Sequence, residues 1–209
     1  MQKKVNFIGG ADISFNKFSE TVYAGIVVLR YPSMELHAHS LVISQSKFPY
    51  LPGLLSFREI PALLEAWEQL DLKPDVVMVD GHGIAHPRRL GIATHFGLVT
   101  GYPTLGCAKK VLTGSYVEPH SSKGSTVPLM DGKEQIGIAF RTKDKVKPMI
   151  ISPGNLLDFK DAESLVLYSI SGYRLPEPTR QAHLFVNRLR REEIRPGVVH
   201  YPWKQGKLF

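Results

Sequence analysis

The stretch Val76-Val77-Met78-Val79-Asp80-Gly81-His82-Gly83-Ile84-Ala85-His86-Pro87-Arg88-Arg89-Leu90-Gly91 runs from an unbroken apolar segment straight into a cluster of polar groups. Four apolar residues, three of them Val, follow Lys73-Pro74-Asp75 and predict a strand buried on both faces, as in the middle of a parallel sheet. Asp80 then falls at the carboxyl end of that strand. In open α/β sheets this rim is where ligands bind, and a carboxylate there is available to a metal ion. Gly81 and Gly83 allow backbone to approach a flat ligand or to turn, and His86, Arg88 and Arg89 add donors and positive charge beside the acid. The plainer alternative is that Asp80 caps the following turn and the glycines only tighten it. The two arginines beside the acidic rim weigh against that.

Upstream, Val5 to Phe15 and Val22 to Leu29 read as a hairpin, and Glu35 to Ser44, after the turn signal Tyr31-Pro32-Ser33, adds a third antiparallel strand. Asp12 lies inside the first strand among small and apolar residues, so it is either satisfied locally or functional; its surroundings favour function. Lys47-Phe48-Pro49-Tyr50-Leu51-Pro52-Gly53 is a stiff loop with an aromatic tip, because its two prolines exclude both helix and central strand. Leu54 to Leu70 then reads as a helix with apolar positions at 60, 63, 64, 67 and 70. Pro61 is tolerable only near a first turn, which places Glu59 at or just before the helix start, where a carboxylate favours the dipole.

Downstream, Leu90 to Val99 predicts a second helix and Pro103 to Ala108 a short strand ending at Lys109-Lys110, which makes a parallel crossover with the Val76 strand. Ser121 to Glu134 reads as a surface loop, and Gln135 to Arg141 and Met149 to Ile151 as edge strands. Helices follow over Leu156 to Ser171 and Thr179 to Arg191. The tail from about residue 195, with Lys204 and Lys207, has no periodicity and reads as a disordered basic segment of a single domain spanning 1–209.

The totals are those of an ordinary globular chain: 209 residues, 43% hydrophobic, 22% charged. No apolar run approaches the ~20 residues that span a bilayer, and Met1-Gln2-Lys3-Lys4-Val5 does not open a signal peptide, so a soluble cytoplasmic protein with no membrane partner is expected. Cys107, the one cysteine, allows neither an internal disulfide nor a thiolate cluster and suits a buried apolar position. The net charge of +7 favours a polyanionic partner.

Three antiparallel strands, helix, parallel strand, helix, parallel strand is the order of a ribonuclease H-like α/β sheet, in which the first and fourth strands are neighbours. Asp12 and Asp80 would then stand side by side. Adjacent carboxylates repel unless a cation lies between them, and Mg²⁺ takes such oxygen ligands while keeping positions for phosphate and water. That arrangement suits metal-assisted phosphodiester hydrolysis.

The chain also resembles the endonuclease V family, repair nucleases that act at deaminated adenine. The resemblance is carried by Gly10-Ala11-Asp12, Pro49-Tyr50-Leu51-Pro52-Gly53, Ser56-Phe57-Arg58-Glu59, Val79-Asp80-Gly81-His82-Gly83, His86-Pro87-Arg88-Arg89-Leu90-Gly91, Gly106-Cys107-Ala108-Lys109 and Gly172-Tyr173-Arg174-Leu175-Pro176-Glu177-Pro178-Thr179-Arg180. It implies that Asp12 and Asp80 bind catalytic Mg²⁺, with Mn²⁺ able to substitute, and that Glu59, Lys109 and His183 complete the catalytic set. His183, read alone, is a packing or surface histidine. The resemblance further implies a wedge at Pro49 to Pro52 with Tyr50 at its tip, and a base pocket of Gly53, Leu55, Gly81, His86, Gly91 and Ile92. The implied partner is DNA containing deoxyinosine, cut on the 3′ side of the lesion by a monomer, with inosine-containing RNA as the alternative.

Two rivals remain in view. A zinc hydrolase would use His82 and His86, but Gly83 and Pro87 oppose the helix that would stack them and no third ligand is near. A non-catalytic nucleic-acid-binding domain would have no need of Asp12, Glu59, Asp80 and Lys109 together.

Overall fold

The computed structural model describes residues 4–16, 19–49, 51 and 53–202. Its elements are β1 (Phe7–Phe15), β2 (Thr21–Arg30), β3 (Glu35–Gln45), α1 (Leu55–Glu68), β4 (Val76–Val79), α2 (Ile92–Thr100), β5 (Thr104–Ala108), β6 (Thr126–Asp131), β7 (Glu134–Phe140), β8 (Met149–Asn155), α3 (Phe159–Tyr168), α4 (Glu177–Arg190) and β9 (Gly197–His200). The strands form one mixed sheet in the order β6-β7-β8-β5-β4-β1-β2-β3-β9. β1, β2 and β3 make the expected antiparallel meander, and β4 is parallel to both β1 and β5. This is the ribonuclease H-like α/β arrangement, with the first and fourth strands adjacent.

Strand alternation divides the core between two helical layers. On one face Ile8, Val27, Leu29, Val76 and Met78 pack with Ala162, Leu165 and Val166 of α3 and Phe185, Val186 and Leu189 of α4. On the other, Ala11, Ile26, Val28, Val77 and Val79 pack with Leu63 and Trp67 of α1 and Ile92 and Phe96 of α2. Every residue of β4 is buried, which accounts for its continuous apolar run. Trp67 meets the fully buried Phe96 edge-on at 5.4 Å and locks α1 to α2.

Four expectations need correction. Helix α1 begins at Leu55, so Glu59 lies in its second turn and Pro61 inside the helix. Pro61 is exposed, on the side of the helix where water can satisfy the carbonyl that its missing N–H leaves free. The predicted loop 121–134 contains β6, whose Pro128 is tolerated because β6 is the edge strand of the sheet, paired along its length with β7 and bridged on its other side at Met130, to Ser115. β7 and β8, expected at edges, are interior, each with a neighbour on both sides. Finally, the tail segment Gly197–His200 is β9, antiparallel to β3, and Tyr201 beyond it donates its backbone N–H to His37 O at 2.8 Å.

Candidate active site

Two strand ends create the acidic centre. Ala11 pairs with Val79, and Asp80 N–H donates to Ala11 O at 2.9 Å, so Asp12 and Asp80 follow each other off adjacent parallel strands. Asp12 is 5% exposed. Burial raises the pKa of its carboxyl, the His183 hydrogen bond opposes that, and the Asp80 charge adds to it.

Helix α4 brings the histidine. It lies so close on β1 that a Cβ at Gly10 would stand 1.9 Å from Pro178 O. Only glycine fits there. His183, further along α4, is placed with Nδ1 2.9 Å from Asp12 Oδ2 and 3.9 Å from Asp80 Oδ2. Asn187 Nδ2 lies 3.1 Å from His183 Nε2 and donates to His183 O at 2.8 Å, which suits a ring protonated on Nδ1 and donating to Asp12. That bond also raises the pKa of His183, against the effect of burial.

Lys109, directly after β5, completes the row: its Nζ is 2.5 Å from Asp80 Oδ2. Glu59 approaches from α1. It is 8% exposed, and burial, with the Asp12 and Asp80 charges adding, pushes its carboxyl up to about 8 although Arg58 opposes the shift. All five residues expected to be catalytic therefore converge from five different elements or their ends.

A cleft of about 360 Å³ opens beside them. The six residues expected to form a base pocket, Gly53, Leu55, Gly81, His86, Gly91 and Ile92, all line it, and Glu59 and Asp80 face the same space. Its floor is a loop folded on itself: Gly91 N–H donates to Gly83 O at 3.0 Å, Ala93 N–H to His82 O at 3.0 Å, and Gly83 N–H to Ser152 Oγ at 2.8 Å. A Cβ at Gly91 would lie 2.3 Å from His82 O. His86 accepts from Arg88 N–H on Nδ1 at 3.2 Å, and burial, reinforced by Arg88 and Arg89, lowers its pKa. Its ring is thus neutral, with the proton on Nε2.

Sequence reasoning missed Leu112 and His82, which also line the cleft. The available signal was the aliphatic pair Val111-Leu112 directly after Lys109-Lys110; the structure leaves both exposed. Tyr50 and Pro52 of the expected wedge lie outside the described residues. Next to them, Arg58 donates to Phe48 O at 2.6 Å and to Ser19 O, tying α1 to the start of that loop.

The donor set fits a hard divalent cation. One atom each of Asp12, Asp80 and His183 lie within 4.8 Å of one another, and among the described residues this is the one His/Cys/Asp/Glu group so arranged. Its two carboxylates supply the oxygen ligands such an ion takes, and the group holds no thiolate. The zinc reading of His82 and His86 falls away, since among the described residues no group of three His, Cys, Asp or Glu ligand atoms includes that pair. No helix among the described residues is long and apolar enough to cross a membrane.

Comparison with known proteins agrees with this geometry. The family model described as Endonuclease V matches residues 1–184. Endonuclease V of Myxococcus xanthus (strain DK1622) is 48% identical over 190 residues, covering 91% of this chain and 81% of the relative. The crystal structure of endonuclease V from Streptomyces avermitilis superposes with a TM-score of 0.86 at 39% identity, over 90% of this chain and 83% of that one. Endonuclease V of Ciona intestinalis, solved with a 23mer DNA containing an inosine followed by a ribo-adenosine, gives a TM-score of 0.79 at 25% identity, over 91% of this chain and 88% of that one. The chain belongs to the endonuclease V family of metal-dependent nucleases.

Proposed function

We propose that this protein is a DNA repair endonuclease that takes a deaminated adenine, hypoxanthine, into the cleft beside Glu59 and Asp80 and hydrolyses a phosphodiester on the 3′ side of the lesion. The observation that carries the reading is the continuity of the two parts: the cleft lined by Gly53, Leu55, Gly81, His86, Gly91 and Ile92 shares Asp80 and Glu59 with the acidic centre. A base held there places its own backbone next to the carboxylates. Small residues and backbone groups suit a flat purine, and the neutral His86 ring offers one donor to a base whose edge carries both donor and acceptor.

Asp12 and Asp80 would hold Mg²⁺, with Mn²⁺ as a substitute. Bound there, such an ion would neutralise charge building on the phosphate and make water acidic enough to attack at neutral pH. The protein side does the positioning. His183, bonded to Asp12, fixes which oxygen of that carboxylate points inward. Lys109 spends one of its three donors on Asp80 and keeps the others for the phosphodiester. Glu59, held largely protonated near neutral pH by its burial, can keep or give a proton at the wall between base and phosphate.

The deciding experiment presents matched DNA and RNA strands, each with and without one inosine, and maps the product ends. Cutting of the inosine DNA strand alone, abolished by chelation and restored by Mg²⁺, is expected. Preferential cutting of the RNA strand would move the substrate to inosine-containing RNA, and binding without any cutting would leave only a binding domain.

A further inference from the structure

The segment Gly172–Arg180 takes no part in the chemistry above, yet it is built with care around one guanidinium. Glu177, 7% exposed, accepts hydrogen bonds from Ser171 Oγ at 2.6 Å, Gln181 Nε2 at 2.6 Å, and Arg180 through Nε at 2.8 Å and Nη2 at 2.6 Å. The Arg180 guanidinium also lies over the Tyr173 ring, 4.3 Å from its centroid. One edge of the guanidinium is thus held by a carboxylate and one face by an aromatic ring. Its Nη1 makes no hydrogen bond among the described residues.

The place of this pair is set at both ends. Arg180 precedes His183 by three residues and so stands one turn away on the same flank of α4. Arg174, next to Tyr173, donates to Lys109 O at 2.8 Å, Lys147 O at 2.9 Å and Pro148 O at 3.1 Å, which pins the Tyr173 turn against the turn carrying Lys109. The pair is therefore tied at one end to the helix turn before His183 and at the other to the turn of Lys109, the residues that contact Asp12 and Asp80.

We propose that the Tyr173–Arg180 pair is a binding site for a backbone phosphate of the nucleic acid, flanking the one that is cut. The proposal rests on the reading of the adjoining cleft as the nuclease centre. A braced guanidinium loses little freedom on binding, and its open edge matches the geometry of phosphate oxygens. Glu177 cancels part of its charge, but Arg174 ties the same turn to the backbone of Lys109 and Lys147, so two further cations belong to the adjoining segments. A guanidinium needed only to close the first turn of α4 would have no use for an aromatic plate that is itself 54% exposed. Contacts of this kind set the register of the strand and carry no base information.

The test compares wild type, Arg180→Gln, Arg180→Lys and Tyr173→Ala as full chains. Each is titrated against inosine-containing and unmodified oligonucleotides over a range of salt, with chelator present so that no strand is cut. Loss of one phosphate contact should lower the slope of log affinity against log salt by about 0.7 on single strands and about 0.9 on duplex. Arg180→Gln should show that loss equally on both sequences, with its melting temperature within a few degrees of wild type. Arg180→Lys should keep the slope but bind more weakly, since a point charge cannot use the plate or the fork, and Tyr173→Ala should weaken binding in the same direction. An unchanged slope in Arg180→Gln, whatever its melting temperature, makes the pair a helix brace and overturns the proposal. If wild type shows no preference for inosine, the reading of the base cleft fails by itself, and the slopes on unmodified DNA still decide the phosphate site.

Discussion

His183 Nδ1 lies 2.9 Å from Asp12 Oδ2, a contact between residues 171 positions apart that exists only because α4 rests directly on β1. Gly10 permits that approach, since a side chain there would meet Pro178 O. Gly10→Ala should therefore lift the start of α4, lower stability by about 1–3 kcal/mol and reduce cleavage by separating His183 from Asp12. Thermal melting and single-turnover cleavage, measured together, check this. Retention of both at wild-type level would mean that the helix can shift without moving the histidine.

Asp80 lies between β4 and the base cleft, with Lys109 Nζ on its carboxylate. Asp80→Asn keeps the shape and removes the charge that a cation needs. Loss of metal-assisted stabilisation is worth several kcal/mol, so cleavage should fall by roughly a thousandfold or more. Binding of inosine-containing DNA should survive, because asparagine keeps the shape of the cleft wall that Asp80 contributes to and one repulsive charge near the phosphates is gone. Chelation of wild type should give the same pair of results. Wild-type turnover by the variant in Mg²⁺ would take Asp80 out of the metal site.

Glu59 predicts a pH dependence of stability. Burial, with the Asp12 and Asp80 charges adding, pushes its carboxyl up to about 8 from an ordinary value of 4.5. A raised folded pKa means that the neutral form is the one the fold favours. The associated stability is complete below pH 4.5 and is lost as pH rises through about 8. In chelator, wild type should lose a few kcal/mol relative to Glu59→Gln across that window, because glutamine never has to be charged. Adding Mg²⁺ should narrow the gap. Parallel melting curves for the two proteins from pH 5 to pH 8 would contradict the burial argument.

Much of the fold and site was legible in the sequence where the physics is local. The Val76–Val79 run could only be a doubly buried strand, and the order of elements then put Asp12 next to Asp80. His183 was legible only through the family resemblance, since its partner on β1 is distant in sequence and a lone histidine on a helix carries no mark of it. β6 and β9 were missed because edge strands need only one partner. Thr126–Asp131 holds a proline and Gly197–His200 is short and partly exposed, so neither shows the alternation that a half-buried strand requires. Pro61 misled for the opposite reason: a local rule about first turns was overridden by tertiary packing that buries Leu63 and Trp67 on the other side of the helix.

Gly81 lies in the wall of the cleft proposed to hold the base. A Cβ added there would lie 2.5 Å from Ile92 Cγ2, the branch methyl of a side chain that itself lines the cleft. The contact is with a side chain and not with backbone, so the fold can absorb it by rotating Ile92 about χ1, at a cost of about 1 kcal/mol because that side chain is β-branched. The added methyl and the displaced Ile92 then occupy space that the proposed base would fill. Gly81→Ala should accordingly melt within a few degrees of wild type while losing roughly 1–3 kcal/mol of its preference for inosine over adenine strands, the usual cost of overfilling a well-packed space. Binding to unmodified DNA depends on phosphate contacts and should hardly change. The ratio of affinities for matched inosine and adenine strands, taken beside the melting temperature, separates a pocket effect from general damage. If the variant keeps its full preference for inosine, the extruded base is not held against Gly81 and Ile92.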